Sequence, residues 1–263
     1  MLKKLLKYDL KYNCKVLVIF YALAIFFATL TRIFGGVENS FIADIIAKIC
    51  GGVTISMIFN ILINNVMRLW VRFRQNLYGD ESYLTHTLPV TRETLYLSKV
   101  LNAIITILVS FVVMLASLLL AYGTENVLDI VKELLKGTAE IFDIKPFVLL
   151  LLLAFVLCLE IFNAVQCGYL GIILGHRSNQ NKLGLSVLFG FGVYLVSQWF
   201  VVILTLAVAL FDKDFMNLFV TNEMISMNTV KVVIAMAIFT YIAVAIIGYV
   251  VSNSLFKKGV NVE

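Results

Sequence analysis

Long apolar runs alternate with short polar segments along the whole of this 263-residue chain. A helix needs about 20 mostly apolar residues to cross a bilayer. Runs of roughly this length lie at about 16–36, 47–67, 100–121, 147–174, 183–210 and 230–251. They are apolar on every face, whereas a membrane-spanning strand alternates apolar and polar residues. The pattern therefore predicts an all-α integral membrane protein with six transmembrane helices.

Composition and charge add an orientation to this prediction. Hydrophobic residues make up 61% of the chain and charged residues 14%, which favours a single transmembrane domain over residues 1–263. If both termini are cytoplasmic, the inner segments hold fourteen Lys and Arg and the outer segments seven. The positive-inside rule therefore predicts cytoplasmic termini. The net charge of +5 is explained by basic loops beside anionic lipid, so we expect no nucleic-acid partner.

The first fifteen residues are amphipathic when placed on a helix. Four leucines recur on one side and four lysines on the other: Leu2, Leu5, Leu6 and Leu10, and Lys3, Lys4, Lys7 and Lys11. We predict an interfacial helix over 1–15. A cleaved signal peptide would also start with positive charge, but the following apolar run lacks a convincing cleavage site, which favours a retained first span.

Residues 68–99 form a polar segment between the second and third predicted spans. Gly79 with its acidic neighbours predicts a turn, and Pro89 disfavours helix in the residue before it. Thr91 is suited to cap a new helix that carries Glu93 in its first turn. We predict a short amphipathic helix, a kink and the entry to the third span. The alternative is a solvated loop with one helix cap.

Glu160 is an ionisable residue near the middle of the fourth predicted span. Such a residue is costly in lipid and is expected to face a cavity or polar partners. Asn163 follows it at helical spacing, and Asn60 and Asn64 form a polar line on the second span. We predict a polar seam that takes part in a transport path or its gating. The alternative is that the amides only hold helices together and that Glu160 meets a hydroxyl or amide partner.

Other chemistry is poorly supported by the sequence. The four cysteines have no paired or metal-like spacing, and neither His86 nor His176 has the i,i+4 partner of a helical zinc motif. We predict no metal site. A GxxxxGK[ST] phosphate loop is absent from the sequence, so we predict no nucleotide site and no enzyme activity in this chain.

The polar segment also carries a family resemblance. An acidic residue, an LPVTR stretch and a leucine-rich entry ending in lysine follow one another at Glu81, Leu88–Arg92, Leu95, Leu97 and Lys99. At these residues the chain resembles the permease subunits of type-2 ATP-binding-cassette transporters, especially those of Gram-positive bacteria. The amphipathic start, the six spans and the cytoplasmic ends extend this resemblance over most of the chain.

The resemblance implies that the segment 68–99 is a coupling element that sits in a cleft of a separate cytoplasmic ATPase, which binds ATP and Mg. The implied coupling residues are Asp80, Glu81, Tyr83, Thr85, His86 and Arg92. The apolar anchors beneath them would be Leu77, Tyr78, Tyr83, Leu84 and Leu88. Other implied partners are a second copy of the permease or a related chain, and the lipids of a bacterial cell membrane.

Two segments on the outer side of the membrane are also predicted to contain helices. Residues 122–146 are predicted to hold an outer amphipathic helix, because apolar and charged residues fall on opposite sides of it. Residues 211–229 have about the right length for the pair of short outer helices that such permeases place before the last span.

The resemblance implies an exporter that moves a bulky amphipathic substrate, such as an antimicrobial peptide, a lipid or a hydrophobic drug. That step is analogy, because fold does not fix function. Two alternatives stay open: a membrane-embedded enzyme that processes lipids, and a sensor or immunity protein that binds a peptide without transport.

Overall fold

A computed structural model describes residues 1–37, 40–123, 133, 146–178, 180–209 and 227–259. Helices are the regular structure of these residues: α1 Leu2–Gly35, α2 Phe41–Leu77, α3 Ser82–Thr87, α4 Arg92–Tyr122, α5 Pro146–Gly175, α6 Lys182–Ala209 and α7 Met227–Lys257. All except α3 are long and apolar enough to cross a membrane. The prediction of an all-α protein with six such helices is confirmed, and these helices define a multi-pass membrane protein.

The predicted outer segments, 122–146 and 211–229, lie almost wholly outside the described residues. The chain divides into two compact units. Of the described residues, unit 1 comprises 1–37 and 40–123, and unit 2 comprises 133, 146–178, 180–209 and 227–259. Within unit 1, α1 packs against α2 and α4, and α2 also contacts α3. Within unit 2, α5 packs against α6 and α7, which also contact each other.

Three helices of unit 1 extend well beyond the apolar runs that predict them. Helix α1 begins at Leu2 rather than near 16, α2 continues to Leu77 rather than ending near 67, and α4 begins at Arg92 rather than near 100. The extensions meet at one end of unit 1, where α1 and α4 begin and α2 ends. Charged side chains hold them together there, so a hydropathy pattern does not detect them.

Residues 1–15 form no separate helix, because α1 runs through them without a break. The lysines are exposed and the leucines are half-buried, as the amphipathic pattern predicts. The buried line of α1, however, starts with two polar residues, Asp9 and Asn13, and continues with Leu17 and Tyr21 at four-residue spacing. The first turns of α1 therefore belong to the packed interior of unit 1.

Unit 2 contains a close contact between two helix backbones. A β-carbon added at Gly171 of α5 would overlap the Cα of Gly190 on α6 and would lie 2.6 Å from the carbonyl oxygen of Ser186. Small residues permit this kind of approach between membrane helices, where van der Waals packing and hydrogen bonds drive association. Gly171 and Gly190 thus set the distance between α5 and α6.

Candidate functional site

The extended end of unit 1 holds a buried ion cluster, which we define as Asp9, Arg72, Asn76, Glu81 and Lys99. At its centre, the Lys99 ammonium donates to both oxygens of Asp9, with Nζ 2.7 Å from Oδ1 and 2.8 Å from Oδ2. Arg72 donates from Nε to Oδ1 of the same carboxylate at 3.1 Å. Asp9 and Lys99 are only 2% and 3% exposed. One carboxylate therefore joins α1, α2 and α4.

The cluster continues to the turn between α2 and α3. Arg72 uses Nη1 to donate to Oε2 of Glu81 at 2.6 Å, and Asn76 Nδ2 donates to the same oxygen at 3.0 Å. The Asn76 carbonyl accepts from Lys99 Nζ at 2.6 Å, and its amide nitrogen lies 3.1 Å from Thr85 Oγ1. Since two carboxylates face two cations, the cluster is neutral overall. These contacts attach α3 to the three long helices.

Tyr12 covers the cluster on the α1 side. Its ring centroid lies 4.5 Å from the guanidinium carbon of Arg72 and 4.9 Å from that of Arg68, within the range of a cation–π interaction. Arg68 also donates to the backbone carbonyl of Tyr12 at 3.1 Å. The first turns of α1 and the last turns of α2 are therefore joined through two arginines as well as through Asp9.

Glu81 lies at the edge of the cluster, where water still reaches it. Partial burial alone would raise the pKa of its carboxyl, but hydrogen bonds from Asn76 and Arg72 and the positive charges of Arg72 and Lys99 outweigh that effect. The pKa is lowered from its ordinary value of 4.5. The carboxylate that anchors α3 is consequently ionised at neutral pH.

Helix α3 and the turn before it form as the sequence predicts. The chain turns at Gly79, whose carbonyl accepts from the Ser82 amide at 2.8 Å. Leu88, ahead of the proline, is extended, and Thr91 caps α4 through a 3.3 Å bond from the Thr94 amide to its hydroxyl. A short helix, an extended residue before Pro89 and the Thr91 cap are therefore present here, and the role of this helix as a coupling helix stays a prediction.

The prediction of apolar anchors beneath α3 is correct for two of the five residues. Leu77 and Tyr78 are buried, but Tyr83, Leu84 and Leu88 are 62%, 75% and 43% exposed, so their prediction as anchors is wrong. The inward positions of this six-residue helix belong instead to Ser82 and Thr85, because Thr85 is held by Asn76. We call Tyr83, Leu84 and Leu88 the α3 apolar face.

The remaining predicted coupling residues are dispersed around α3. Asp80 and Arg92 are exposed, on the two sides of the α3 apolar face in the sequence. His86 is half-buried, with Nε2 3.1 Å from the carbonyl oxygen of Leu77. Thr85 is buried and faces the ion cluster, whereas Glu81 binds the cluster with a side chain that is still 49% exposed. The role of these residues in coupling stays a prediction.

Glu160 in unit 2 lies in a second polar cluster. Its Oε1 accepts from the Tyr194 hydroxyl at 2.6 Å and from Gln198 Nε2 at 3.0 Å, both on α6. One turn further along α5, Asn163 donates to the Ser197 hydroxyl at 3.1 Å. Glu160 thus meets the hydroxyl and amide partners that the alternative interpretation expects, and a role in transport or gating stays a prediction.

The predicted seam residues on α2 have local partners in unit 1. Asn60 donates to the carbonyl of Ser56, and Asn64 donates to that of Asn60, both at 2.9 Å. These bonds run along their own helix. The participation of Asn60 and Asn64 in a transport path therefore rests on the sequence pattern alone.

A cavity of about 240 Å³ lies among α5, α6 and α7. Its wall is mostly apolar, with Val193, Phe200 and Val244 among the lining residues. Asn163, Gln166 and Ser197 add polar groups to one part of the wall. On α5 and α7 this lining begins at Asn163 and Val244, three residues after Glu160 and Tyr241.

Sequence reasoning missed Asp9 and Asn76 in unit 1, and Tyr194 and Gln198 in unit 2. Asp9 could have been found, because it is the acidic residue in a lysine-rich segment and lies four and eight residues before Asn13 and Leu17 on one helix line. The sequence around Tyr194 and Gln198, the partners of Glu160, contains no comparable pattern. They come from α6, and their spacing does not reveal which helix meets Glu160.

No family model, curated protein or solved structure matches this chain.

Proposed function

We propose that the chain is the permease subunit of an ATP-binding-cassette exporter, in which α3 docks on a separate cytoplasmic ATPase. The observation that carries this proposal is the ion cluster directly behind α3. A helix of six residues has little stability of its own. Here it is fixed to α1, α2 and α4 through Arg72, Asn76 and Lys99, so that a displacement of α3 moves three long helices.

The α3 apolar face supports the docking role. Protein interfaces combine a central apolar or aromatic patch with a polar rim, and Tyr is enriched in them. Tyr83, Leu84 and Leu88 supply such a patch, and Asp80 and Arg92 supply charges beside it. A patch on a rigidly anchored helix keeps its shape when it binds, which lowers the entropic cost of association.

The distribution of charge supports a cytoplasmic location for this surface. With both termini inside, the inner segments carry the excess of Lys and Arg that the positive-inside rule requires. The exposed lysines in the first turns of α1 would then face the anionic inner leaflet of the bacterial cell membrane. An ATPase on that side would have access to ATP. This sequence itself has no phosphate loop to bind ATP.

A pull-down with two matched variants tests the proposal. We expect wild-type chain, purified gently from its native cell, to carry a phosphate-loop ATPase that mass spectrometry identifies. Leu84→Glu is expected to reduce ATPase recovery roughly tenfold or more, because hot-spot residues at the centre of an interface cost about 2 kcal/mol or more when they are truncated.

Tyr8→Glu is the control, since Tyr8 is a similarly exposed apolar residue on the same end of unit 1 but outside α3. It is expected to leave recovery unchanged. If neither wild type nor variants carried an ATPase, the permease assignment would be wrong. Equal losses with both variants would assign the contact to the whole end of unit 1 and not to α3.

A further inference from the structure

We propose that Glu160 and the cavity beside it bind an amphipathic organic cation, with the cationic head at Glu160 and a single alkyl chain in the cavity. The inference rests on the proposed function, because it names the substrate class of the exporter. It is carried by three observations in unit 2: the surroundings of the carboxylate, the aromatic groups beside it, and the size and lining of the cavity.

The carboxylate has hydrogen-bond donors but no countercharge in the described part of unit 2. Tyr194 and Gln198 are neutral donors to Oε1, and no Lys or Arg of the described residues forms an ion pair with Glu160. Its second oxygen, Oε2, is buried and accepts no hydrogen bond there. A carboxylate within an apolar helix is costly unless it is paired. A ligand cation supplies the missing charge.

Two tyrosines belong to the same cluster. Tyr194 bonds to the carboxylate from α6, and the hydroxyl of Tyr241 on α7 lies beside it. Aromatic rings attract organic cations through their negative faces, and this attraction is strongest where water is excluded. Both tyrosines reach Glu160 through their hydroxyls, so a cationic head at the carboxylate would lie beside two aromatic side chains.

The volume of the cavity limits the size of the ligand's apolar part. Its volume of about 240 Å³ is below the roughly 300–1,000 Å³ of pockets for drug-sized ligands. It suits one alkyl chain and not a multi-ring molecule. Glu160 is half-buried and lies one helical turn from Asn163, which lines the cavity, so the head group of a ligand in the cavity would lie about one turn from Glu160.

The test uses two probes with the same alkyl chain, decyltrimethylammonium and decanol, and the full chain in uncharged maltoside micelles. Equilibrium dialysis with radiolabelled probes gives the ratio of their affinities. We expect wild type to prefer the ammonium, and Glu160→Gln to reduce this preference roughly tenfold or more, because only the ammonium loses a paired charge in the variant. Decanol binding above the level of protein-free micelles is expected to persist, which shows that the variant keeps its cavity.

Asp44→Asn is the matched control, because Asp44 is an exposed carboxylate paired with Lys48 in unit 1. It is expected to leave the preference unchanged. Equal wild-type affinity for both probes would overturn the proposal, as would an undiminished preference in Glu160→Gln. If Glu160→Gln lost both ligands, carbodiimide labelling of Glu160 in wild type decides: protection by the ammonium alone supports the site, and equal or no protection overturns it.

A lipid amine and a free amine share this chemistry. Added lysophosphatidylethanolamine, which has a single acyl chain, assigns the site to lipid if it displaces the ammonium probe, and failure to displace the probe assigns the site to a free cation. All of these measurements use this chain alone. Loss of the ATPase in the pull-down with intact ammonium selectivity would thus contradict the proposed function but not the site, and the converse result would contradict only the site.

Discussion

Replacing Lys99 with methionine is expected to lower the free energy of unfolding by about 3–5 kcal/mol, the cost of removing one partner from a buried ion pair. Methionine keeps most of the length of the side chain, so the loss reports mainly on charge. Asp9 would keep Arg72 but lose two bonds, and Asn76 would lose the donor to its carbonyl. Unfolding by sodium dodecyl sulfate in mixed micelles measures the change.

Lys48→Met provides the control for this prediction. Lys48 pairs with Asp44 at 2.7 Å, the same distance that separates Lys99 from Asp9, but both partners are largely exposed. Exposed i,i+4 pairs contribute only about 0.3–0.5 kcal/mol. Similar effects of the two substitutions would mean that burial does not strengthen the cluster, and unit 1 would then need another explanation for its extended helices.

Combining Asp9→Asn with Lys99→Met is expected to cost less than the sum of the two single changes. The double variant removes one charge of each sign, and leaves Arg72 paired with Glu81 at 2.6 Å. Residues in one ion-pair network characteristically depart from additivity in this way. The same unfolding titration on the three variants completes the cycle, and strict additivity would contradict direct coupling between Asp9 and Lys99.

The second large effect is expected at the contact between α5 and α6. Gly171→Leu would place a side chain against the backbone of Gly190 and Ser186, neither of which can yield without moving α6. Overpacking of a close-packed site costs about 1–3 kcal/mol and sometimes more, and we expect a value at or above the upper end. The measured quantity is again the free energy of unfolding.

Gly192→Leu is the matched control for Gly171→Leu. A β-carbon at Gly192 meets no atom within 4 Å, so its side chain would extend into open space. Leucine is also the better helix former, which offsets part of any loss. Equal destabilisation by the two substitutions would show that glycine matters here for helix flexibility and not for the α5–α6 distance.

The sequence predicts much of the fold because lipid imposes a simple pattern. Six apolar runs correspond to six helices, and Pro89 and Thr91 mark the kink and the cap that precede α4. The positions at which the helices begin and end are less predictable. Helices α1, α2 and α4 continue through Asp9, Arg72 and Lys99, whose charges look like solvated loops in a hydropathy pattern but are buried against one another.

The candidate sites are less visible in the sequence because they depend on which side chains meet. Glu160 stands out as a carboxylate in an apolar run, but Tyr194 and Gln198 look like ordinary span residues until α6 packs on α5. In α3, amphipathic spacing does not say which side faces inward. Asn76 decides that question by binding Thr85, and thereby turns Tyr83 and Leu84 outward.

Photo-cross-linking from position 84 in native cells can detect the proposed docking of α3 on a separate ATPase. Leu84 is replaced by a photoreactive amino acid of similar size, and cross-linked products are identified by mass spectrometry. We expect a covalent adduct with a cytoplasmic phosphate-loop ATPase, and we expect no such adduct when the probe is placed at position 8. Adducts with lipid alone, or with proteins that bind no nucleotide, would contradict the proposed docking.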